Sequence, residues 1–191
     1  MHGGQGKSRT GVPTVWLMSD ERVAQADLMR AVARLPRGSA IVLRHYQLDE
    51  SRRRALFKRV RKAARQRGCR VLLAGDPALA RAWGADGHHG HLSAQRGKPW
   101  LHSAPAHDVA ELRAALRAGA DVILLSPLFA TRSHPGAFAL GAVRFAGLAR
   151  RCPVPVIALG GVHPRHARLV RRLGAVGFAA IDGLTPVRRS T

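Results

Sequence analysis

One unit recurs along this chain of 191 residues and limits the folds that the chain can adopt. The segments ALARAWGADGHHG, LRAALRAGADVIL and LVRRLGAVGFAAI each run from an arginine- and alanine-rich helical stretch, through a glycine, to a short strand-like stretch. A glycine directly after a helix commonly adopts the left-handed conformation that ends the helix. Strands that alternate with helices in this way pair in parallel through right-handed crossovers. The repeat therefore predicts an α/β fold with a parallel sheet.

Counting these units predicts eight strands with helices between them. The strands are expected near residues 14–18, 40–44, 70–74, 87–91, 99–103, 122–126, 156–160 and 177–181, and the helices at 25–35, 52–67, 77–83, 108–118, 142–151 and 164–173. Eight βα units close naturally into a barrel, so we expect a single compact (β/α)8 TIM barrel over residues 12–187, after a disordered leader at 1–11. The alternative is an open doubly wound sheet, for which the sequence has no GxGxxG fingerprint.

The N-terminus and the cysteines indicate the compartment. The leader is polar and glycine-rich without the apolar segment of a signal peptide, and no stretch approaches the roughly 18 apolar residues of a membrane span. Cys69 and Cys152 are too few and too far apart for a disulfide framework or a zinc site, and they fit a reduced compartment. We therefore expect a cytoplasmic protein with no membrane partner, and the oligomeric state stays open.

The formal net charge of +21 is the extreme feature of the composition. It points either to weak, nonspecific binding of polyanions such as nucleic acid, or to an arginine- and alanine-rich composition with no role of its own. The predicted helix 52–67 carries nine basic residues and no acidic one, with Leu56, Val60, Ala63 and Ala64 as its apolar stripe. This pattern describes an outer barrel helix with a solvated face. Nucleic-acid binding through it is the competing interpretation, without an aromatic platform for stacking bases.

The ends of the last three strands carry the residues of a phosphate site. The stretch VILLSPLFATRSHPGAFALG begins as a buried strand and ends as a loop with hydroxyl groups at Thr131 and Ser133. Gly160 and Gly161 follow the seventh strand directly, and the eighth strand ends in AAIDGL. In barrels of this kind, the loops after strands seven and eight hold phosphate through backbone N–H groups. The paired glycines alternatively serve only to relieve a tight turn.

Histidines cluster at the predicted end of the fourth strand. His89 and His91 share a face in extended geometry, and the chain brings His45, His107 and His134 to other strand ends. Such a cluster can bind a transition metal, or it can bind substrate phosphate or remain solvated. No carboxylate is placed to orient these imidazoles as metal ligands usually require.

Residues 107–184 resemble the thiamine phosphate synthase and TenI family. The resemblance rests on His107 with Glu111, then GAD, SPLFAT, TRSHPG, PVIALGGV and GFAAIDGL, in the family's order and spacing. The first half fits more loosely, with VWLMSDER for the opening strand, VLRHY for the QLREK motif, LAGDP for an asparagine–aspartate motif and GADGHHG for GADGVHLG. The resemblance implies a TIM-barrel transferase of thiamine biosynthesis. Such an enzyme joins hydroxymethylpyrimidine pyrophosphate to thiazole phosphate, with loss of pyrophosphate and with Mg²⁺ as cofactor.

The resemblance also implies the roles of individual residues. Arg44 would neutralise the leaving pyrophosphate, Asp76 would be a Mg²⁺ ligand, and His134 would stand in for the loop lysine as a third catalytic residue. His89 and His107 would line the same pocket. The thiazole phosphate would be held by a cradle of six residues, namely Thr131, Ser133, Gly160, Gly161, Asp182 and Gly183.

The sequence departs from the family on the pyrophosphate side. Val42 and Tyr46 replace the glutamine and lysine of the second-strand motif, and Gly75 replaces the asparagine beside Asp76. HHGHLSAQRG has no acid where a second metal carboxylate is expected, and Pro127 stands where the TenI tautomerase has its histidine. These departures support an alternative to a synthase with a diverged pyrophosphate site, namely a TenI-like protein that binds thiazole phosphate or a related ester without transferase activity. A nucleic-acid-binding protein, suggested by the basic charge, is the third interpretation.

Overall fold

A computed structural model describes residues 11–92, 100–131 and 138–185 and shows a closed barrel of eight parallel strands. Each strand pairs with the next in the chain, and β8 pairs with β1 to close the barrel. The strands are β1 (Val15–Met18), β2 (Ala40–Leu43), β3 (Arg70–Ala74), β4 (Gly87–His89), β5 (Leu101–Ala106), β6 (Val122–Leu125), β7 (Val156–Ala158) and β8 (Gly177–Ala180). The predicted TIM barrel is confirmed.

Helices cover the outside of the strands. They are α1 (Gln25–Arg34), α2 (Glu50–Gln66), α3 (Pro77–Ala82), α4 (Val109–Arg117), α5 (Gly141–Arg151) and α6 (Ala167–Arg172), with a 3₁₀ turn at Pro164–His166 before α6. No helix in the described ranges is long and apolar enough to cross a membrane.

Alternating strand residues build three separate apolar clusters. Trp16, Leu72 and Ile157 belong to the cluster that fills the barrel interior. The first-half cluster lies between strands and helices and draws its buried residues from positions 17–85, and the second-half cluster draws its own from positions 104–180. Two faces of each strand are therefore buried, as expected of a parallel sheet under helices.

Glycines shape the repeat in two ways. Gly84, Gly119 and Gly174 have positive φ angles directly after α3, α4 and α6, as the sequence pattern predicts. Gly87 and Gly177 allow close backbone approach, since a Cβ atom would stand 2.1 Å from the Leu101 carbonyl oxygen and 2.0 Å from that of Thr14. These two positions admit only glycine without a shift of the neighbouring chain.

Most differences from the prediction concern element ends. Of the other seven strands, β1 and β3 end where predicted, and five stop one or two residues before the predicted end, because the chain turns into the loops of the barrel mouth. β5 instead continues to Ala106, because Pro105 keeps its place in the ladder opposite Leu124 despite lacking an N–H group. Helix α2 begins at Glu50 because the Asp49 carboxylate accepts the Arg52 N–H at 2.9 Å and caps it.

Candidate active site

The described residues enclose a cavity of about 500 Å³ at the C-terminal ends of the strands. Every strand end except that of β3 contributes to its wall. Of the residues expected in the site, the cavity brings together Arg44, His89, His107, Thr131, Gly160, Gly161, Asp182 and Gly183. Its volume suits a small-molecule ligand.

Backbone N–H groups with no partner among the described residues line one side of this cavity. Among the described residues, no acceptor receives a hydrogen bond from the N–H groups of Gly160, Gly161, Val162, Asp182 and Gly183. We call these five groups the anion cradle. Gly160 and Val162 are buried, and buried backbone N–H groups are nearly always hydrogen-bonded. The anion cradle can therefore donate hydrogen bonds to an acceptor on a ligand, such as a phosphate oxygen.

The two consecutive glycines are required by the packing of neighbouring loops. Gly160 has φ +91°, and a Cβ atom there would lie 2.6 Å from the Cα of Pro127. Gly161 has φ +64°, and its Cβ would lie 2.6 Å from the carbonyl oxygen of Ala130. The loop after β7 thus packs directly on the loop after β6, which places Thr131 in the same cavity. The turn-relieving and ligand-binding interpretations of these glycines are compatible, because the same two residues pack on the neighbouring loop and line the cavity.

Arg44 forms the cationic side of the cavity. Its Nε donates to the Ser19 carbonyl oxygen at 2.7 Å and its Nη2 to Asp20 Oδ2 at 2.8 Å. A guanidinium group has about five N–H donors, so these two anchors leave about three for a ligand. Burial favours the neutral acid at Asp20, but hydrogen bonds from Arg22 and the charge of Arg44 together hold the pKa of that carboxyl below its ordinary value. Asp20 therefore stays ionised and fixes the direction of Arg44.

A strained turn after β2 orients the side chains around Arg44. His45 has φ +39° and is the one described residue other than glycine with a positive φ. Its Nδ1 lies 2.9 Å from Ser19 Oγ, which also accepts the Arg44 N–H at 2.8 Å. The turn buries His45 and lets Arg44 and Tyr46, on either side of it, face the cavity. Strain of this kind concentrates at functional sites.

His89 is a buried, neutral imidazole in the cavity wall. Burial, assisted by the positive charge of Arg44, lowers the pKa of His89 to about 3. Its Nδ1 lies 3.0 Å from Ser103 Oγ, and that hydroxyl donates in turn to the His88 carbonyl oxygen at 3.4 Å. With Nδ1 engaged by Ser103, the second ring nitrogen, Nε2, is left to contact a ligand. His89 thus offers an uncharged hydrogen-bonding group to a ligand.

Asp182 is a carboxylate beside the anion cradle. A negative charge at this position opposes phosphate binding, and Arg22 from the loop after β1 compensates for it. The charge of Asp182 helps to raise the pKa of Arg22, after the larger contribution of the Arg22–Asp20 hydrogen bond. Arg22 therefore balances two carboxylates at the rim of the cavity.

The other described histidines do not form a group that could hold a metal ion. Strand β4 ends at His89, so the extended arrangement expected for His89 and His91 does not form. His88 points away from the cavity and stacks on His102 at a centroid distance of 4.1 Å. His107 lies at the rim, with Nδ1 2.7 Å from Glu111 Oε2. Within the described residues, no three histidine, cysteine or acidic side chains are grouped for a metal ion.

Asp76 lies outside the cavity. Its Oδ1 accepts the Ala78 N–H at 2.7 Å and caps helix α3, and the residue is exposed at the end of β3. Every aspartate and glutamate of the chain falls within the described residues, and none joins Asp76 in a group of metal-binding side chains. Among the described residues, Asp76 thus belongs to no group of three metal-binding side chains, and its observed role is to cap α3.

Two expected site residues, Ser133 and His134, lie outside the described residues. Conversely, the sequence reasoning missed Ser19, Asp20 and Arg22, which hold Arg44 in place. The SDER segment directly after the first strand carried the signal, because polar residues at a barrel strand's C-terminal end belong to the mouth.

Comparisons with known proteins agree with this architecture. The family model for thiamine monophosphate synthase, TMP-TENI, matches residues 15–184. The chain is 30% identical to a thiamine-phosphate synthase of Geobacillus thermodenitrificans over 149 residues, which are 72% of this chain and 66% of that protein. It is 29% identical to a thiamine-phosphate synthase of Acidithiobacillus ferrooxidans over 171 residues, which are 82% of this chain and 78% of that one. The solved thiamine phosphate pyrophosphorylase of Pyrococcus furiosus has the same fold, with a TM-score of 0.73, 21% identity and coverage of 91% of this chain and 87% of that chain.

Proposed function

Because the chain belongs to the thiamine monophosphate synthase family, we propose that it joins hydroxymethylpyrimidine pyrophosphate to thiazole phosphate and releases pyrophosphate. The observation that carries this proposal is the pairing, in one cavity, of the anion cradle with the anchored guanidinium group of Arg44. A reaction between two phosphorylated substrates needs two separate anion sites.

The anion cradle suits the phosphate of the thiazole substrate. Backbone N–H groups bind a phosphate without requiring a counter-charge and hold its position rigidly, because they belong to packed loops. We assign the phosphate to the N–H groups of Gly160, Gly161 and Gly183, with Thr131 beside them. Ser133, which lies outside the described residues, remains our proposal for a further phosphate contact.

Arg44 suits the pyrophosphate of the other substrate. In the proposed reaction the thiazole nitrogen attacks the pyrimidine methylene carbon, the new C–N bond forms, and the C–O bond to pyrophosphate breaks with its electron pair leaving on oxygen. The N–H groups of Arg44 that remain unengaged stabilise the negative charge that develops there. His89 provides a neutral polar contact for the pyrimidine ring, and His134 remains our proposal for the second cation of the leaving group.

The family implies a magnesium ion, and the residues present define how it would be held. Mg²⁺ is usually bound by one or two carboxylates together with substrate phosphate oxygens and water. Asp76 is one such carboxylate, and it has already given one oxygen to the cap of α3. The described residues therefore fit a Mg²⁺ ion that binds together with the pyrophosphate, and they do not provide a complete set of metal ligands on their own. When bound, Mg²⁺ would neutralise charge on the leaving group.

A second candidate function is binding of thiazole phosphate without transferase chemistry. The replacement of the family's lysine by Tyr46 and the single carboxylate at Asp76 favour it, because both changes weaken the pyrophosphate side alone. Free thiols at Cys69 and Cys152 fit our expectation that either activity occurs in the cytoplasm.

An assay with both precursors separates the two candidates. Purified protein is incubated with the pyrimidine pyrophosphate and thiazole phosphate, with Mg²⁺ or with EDTA, and thiamine phosphate and pyrophosphate are quantified. A synthase forms both products in equal amounts, and calorimetry shows thiazole phosphate binding. Binding without any product at any Mg²⁺ concentration excludes the synthase and leaves the binding function. Absence of both binding and product refutes the assignment of the cavity.

A further inference from the structure

The outer face of α2 carries cations that the proposed reaction does not use. Of the nine basic residues between positions 52 and 67, Arg53 and Arg67 donate to backbone carbonyl groups, and Arg61 is partly buried beside Gly84. Arg52 pairs with Asp49, and Arg59 donates to Gln25 of α1. The remaining four, Arg54, Lys58, Lys62 and Arg65, are exposed.

These four cations form a continuous stripe, which we call the α2 ridge. Their spacing in an α-helix places all four within an arc of about 80° and over a length of about 16 Å. None of them forms an ion pair or hydrogen bond within the described part of the chain, which includes every aspartate and glutamate. Arg34 and Arg37, in and after helix α1, which packs against α2, are exposed as well. Like charges held this close repel one another, so the ridge is complementary to a polyanion.

We propose that the α2 ridge binds the phosphate backbone of duplex nucleic acid, independently of base sequence. A duplex presents one phosphate per strand about every 3.4 Å, so the ridge spans about five phosphates of a strand. Single strands are usually bound by aromatic side chains that stack on bases. The aromatic residue of α2, Phe57, is buried, so the ridge offers charge without a stacking surface. This favours a duplex as the partner.

The ridge is separate from the proposed active site. The cavity is lined by strand ends and loops and by no residue of α1 or α2. Binding at the ridge and product formation are therefore measurable independently, and failure of one assignment leaves the other standing.

Salt dependence tests the proposal. Binding of a fluorescein-labelled duplex of 20 mixed base pairs is followed by anisotropy between 50 and 200 mM NaCl. Four phosphate contacts predict that affinity falls with a log–log slope of about −3.6, which is about 150-fold over this range. The ridge variant R54Q/K58Q/K62Q/R65Q should bind the duplex at least tenfold more weakly at 50 mM salt. Its affinity should also depend much less steeply on salt concentration than that of the unmodified protein. Circular dichroism melting verifies that the variant is folded.

A variant with the same change in net charge is the matched control. R113Q/R117Q/R144Q/R151Q removes four exposed cations from α4 and α5, none of which forms an ion pair among the described residues. It should keep the slope of the unmodified protein. If the control loses as much affinity as the ridge variant, the net charge binds and the ridge is not a site. Equal affinity for a single strand of the same length overturns the duplex assignment, and a wild-type affinity that changes less than tenfold with salt overturns the proposal.

Discussion

The neutral state of His89 predicts a measurable dependence of stability on pH. This imidazole lies in the cavity wall with its pKa lowered to about 3, whereas an unfolded histidine has a pKa of about 6.5. As pH falls between these two values, the unfolded chain takes up the proton and the folded protein does not. Protonation therefore favours unfolding, so the contribution of His89 is fully present above pH 6.5 and is lost progressively below it.

The size of this effect follows from the two pKa values. At pH 5 the unfolded imidazole is mostly protonated and the folded one is not, which lowers the free energy of unfolding by about 2 kcal/mol relative to pH 7. Burial also lowers the pKa of His45 and of His88, and these groups act in the same direction. Between pH 7 and pH 5, the wild-type protein should therefore lose more free energy of unfolding than His89 alone accounts for.

The substitution His89→Asn isolates the contribution of this residue. The asparagine amide can take the place of Nδ1 as the hydrogen-bond partner of Ser103, and it does not titrate. Urea unfolding at pH 7 and pH 5 gives two free energies for each protein, and the pH-dependent loss should be about 2 kcal/mol smaller in the variant. His107→Gln, at the exposed rim, is the control and should behave as wild type. If wild type and His89→Asn lose stability equally within about 0.5 kcal/mol, His89 is not held neutral and its role as an uncharged contact fails.

Three further substitutions test the site. Arg44→Lys should lower kcat/KM for the pyrimidine pyrophosphate about 100-fold in the coupled assay. The reason is that an ammonium group lacks the planar set of donors with which Arg44 binds Ser19, Asp20 and a ligand at once. A change below threefold contradicts the role of Arg44. Gly161→Ala should weaken thiazole phosphate binding at least tenfold by calorimetry, whereas Gly119→Ala, with φ +82° and no atom within 4 Å of its Cβ, should cost only stability. Asp76→Asn should keep the α3 cap and the melting temperature but raise the Mg²⁺ concentration needed for half-maximal rate. Asp76→Ala should raise that concentration too and also lose about 1 kcal/mol of stability, because it removes the cap. If Asp76→Asn leaves the Mg²⁺ requirement unchanged, Asp76 serves only as a helix cap.

The barrel could be predicted from the sequence because local and global signals agree. The glycine after each helix, the apolar strand that follows and the count of eight all lead to one closed sheet. The error at β5 shows the limit of local rules. Pro105 marks a strand end by local propensity, yet the neighbouring strand keeps it in register. The 3₁₀ turn before α6 is a similar case, in which the His163 N–H donates to His166 and tightens the start of the helix.

The candidate site was only partly predictable, for a physical reason. Gly160 and Gly161 could be assigned because backbone requirements leave a mark in the sequence as glycine. The support of Arg44 could not be assigned, because it depends on Ser19 and Asp20, which are about 25 positions away in the chain and meet Arg44 only when β1 and β2 pair. The capping role of Asp76 was equally hidden, since the same residue type serves a helix N-terminus and a metal ion.

The division of the apolar contacts into a first-half and a second-half cluster bears on how the molecule assembles. Helices α1 to α3 pack on strands of their own half, and α4 to α6 on theirs, while Val15 and Leu184 are partly buried against both clusters. Each half can therefore acquire most of its helix-to-strand packing from contacts that are close in sequence. The interior cluster, which joins Trp16 and Leu72 to Leu124 and Ile157, forms only when the two halves meet. We expect the halves to behave as two cooperative modules whose docking is the late step of folding, so that two separately expressed fragments divided between β4 and β5 would recognise each other and reconstitute the barrel.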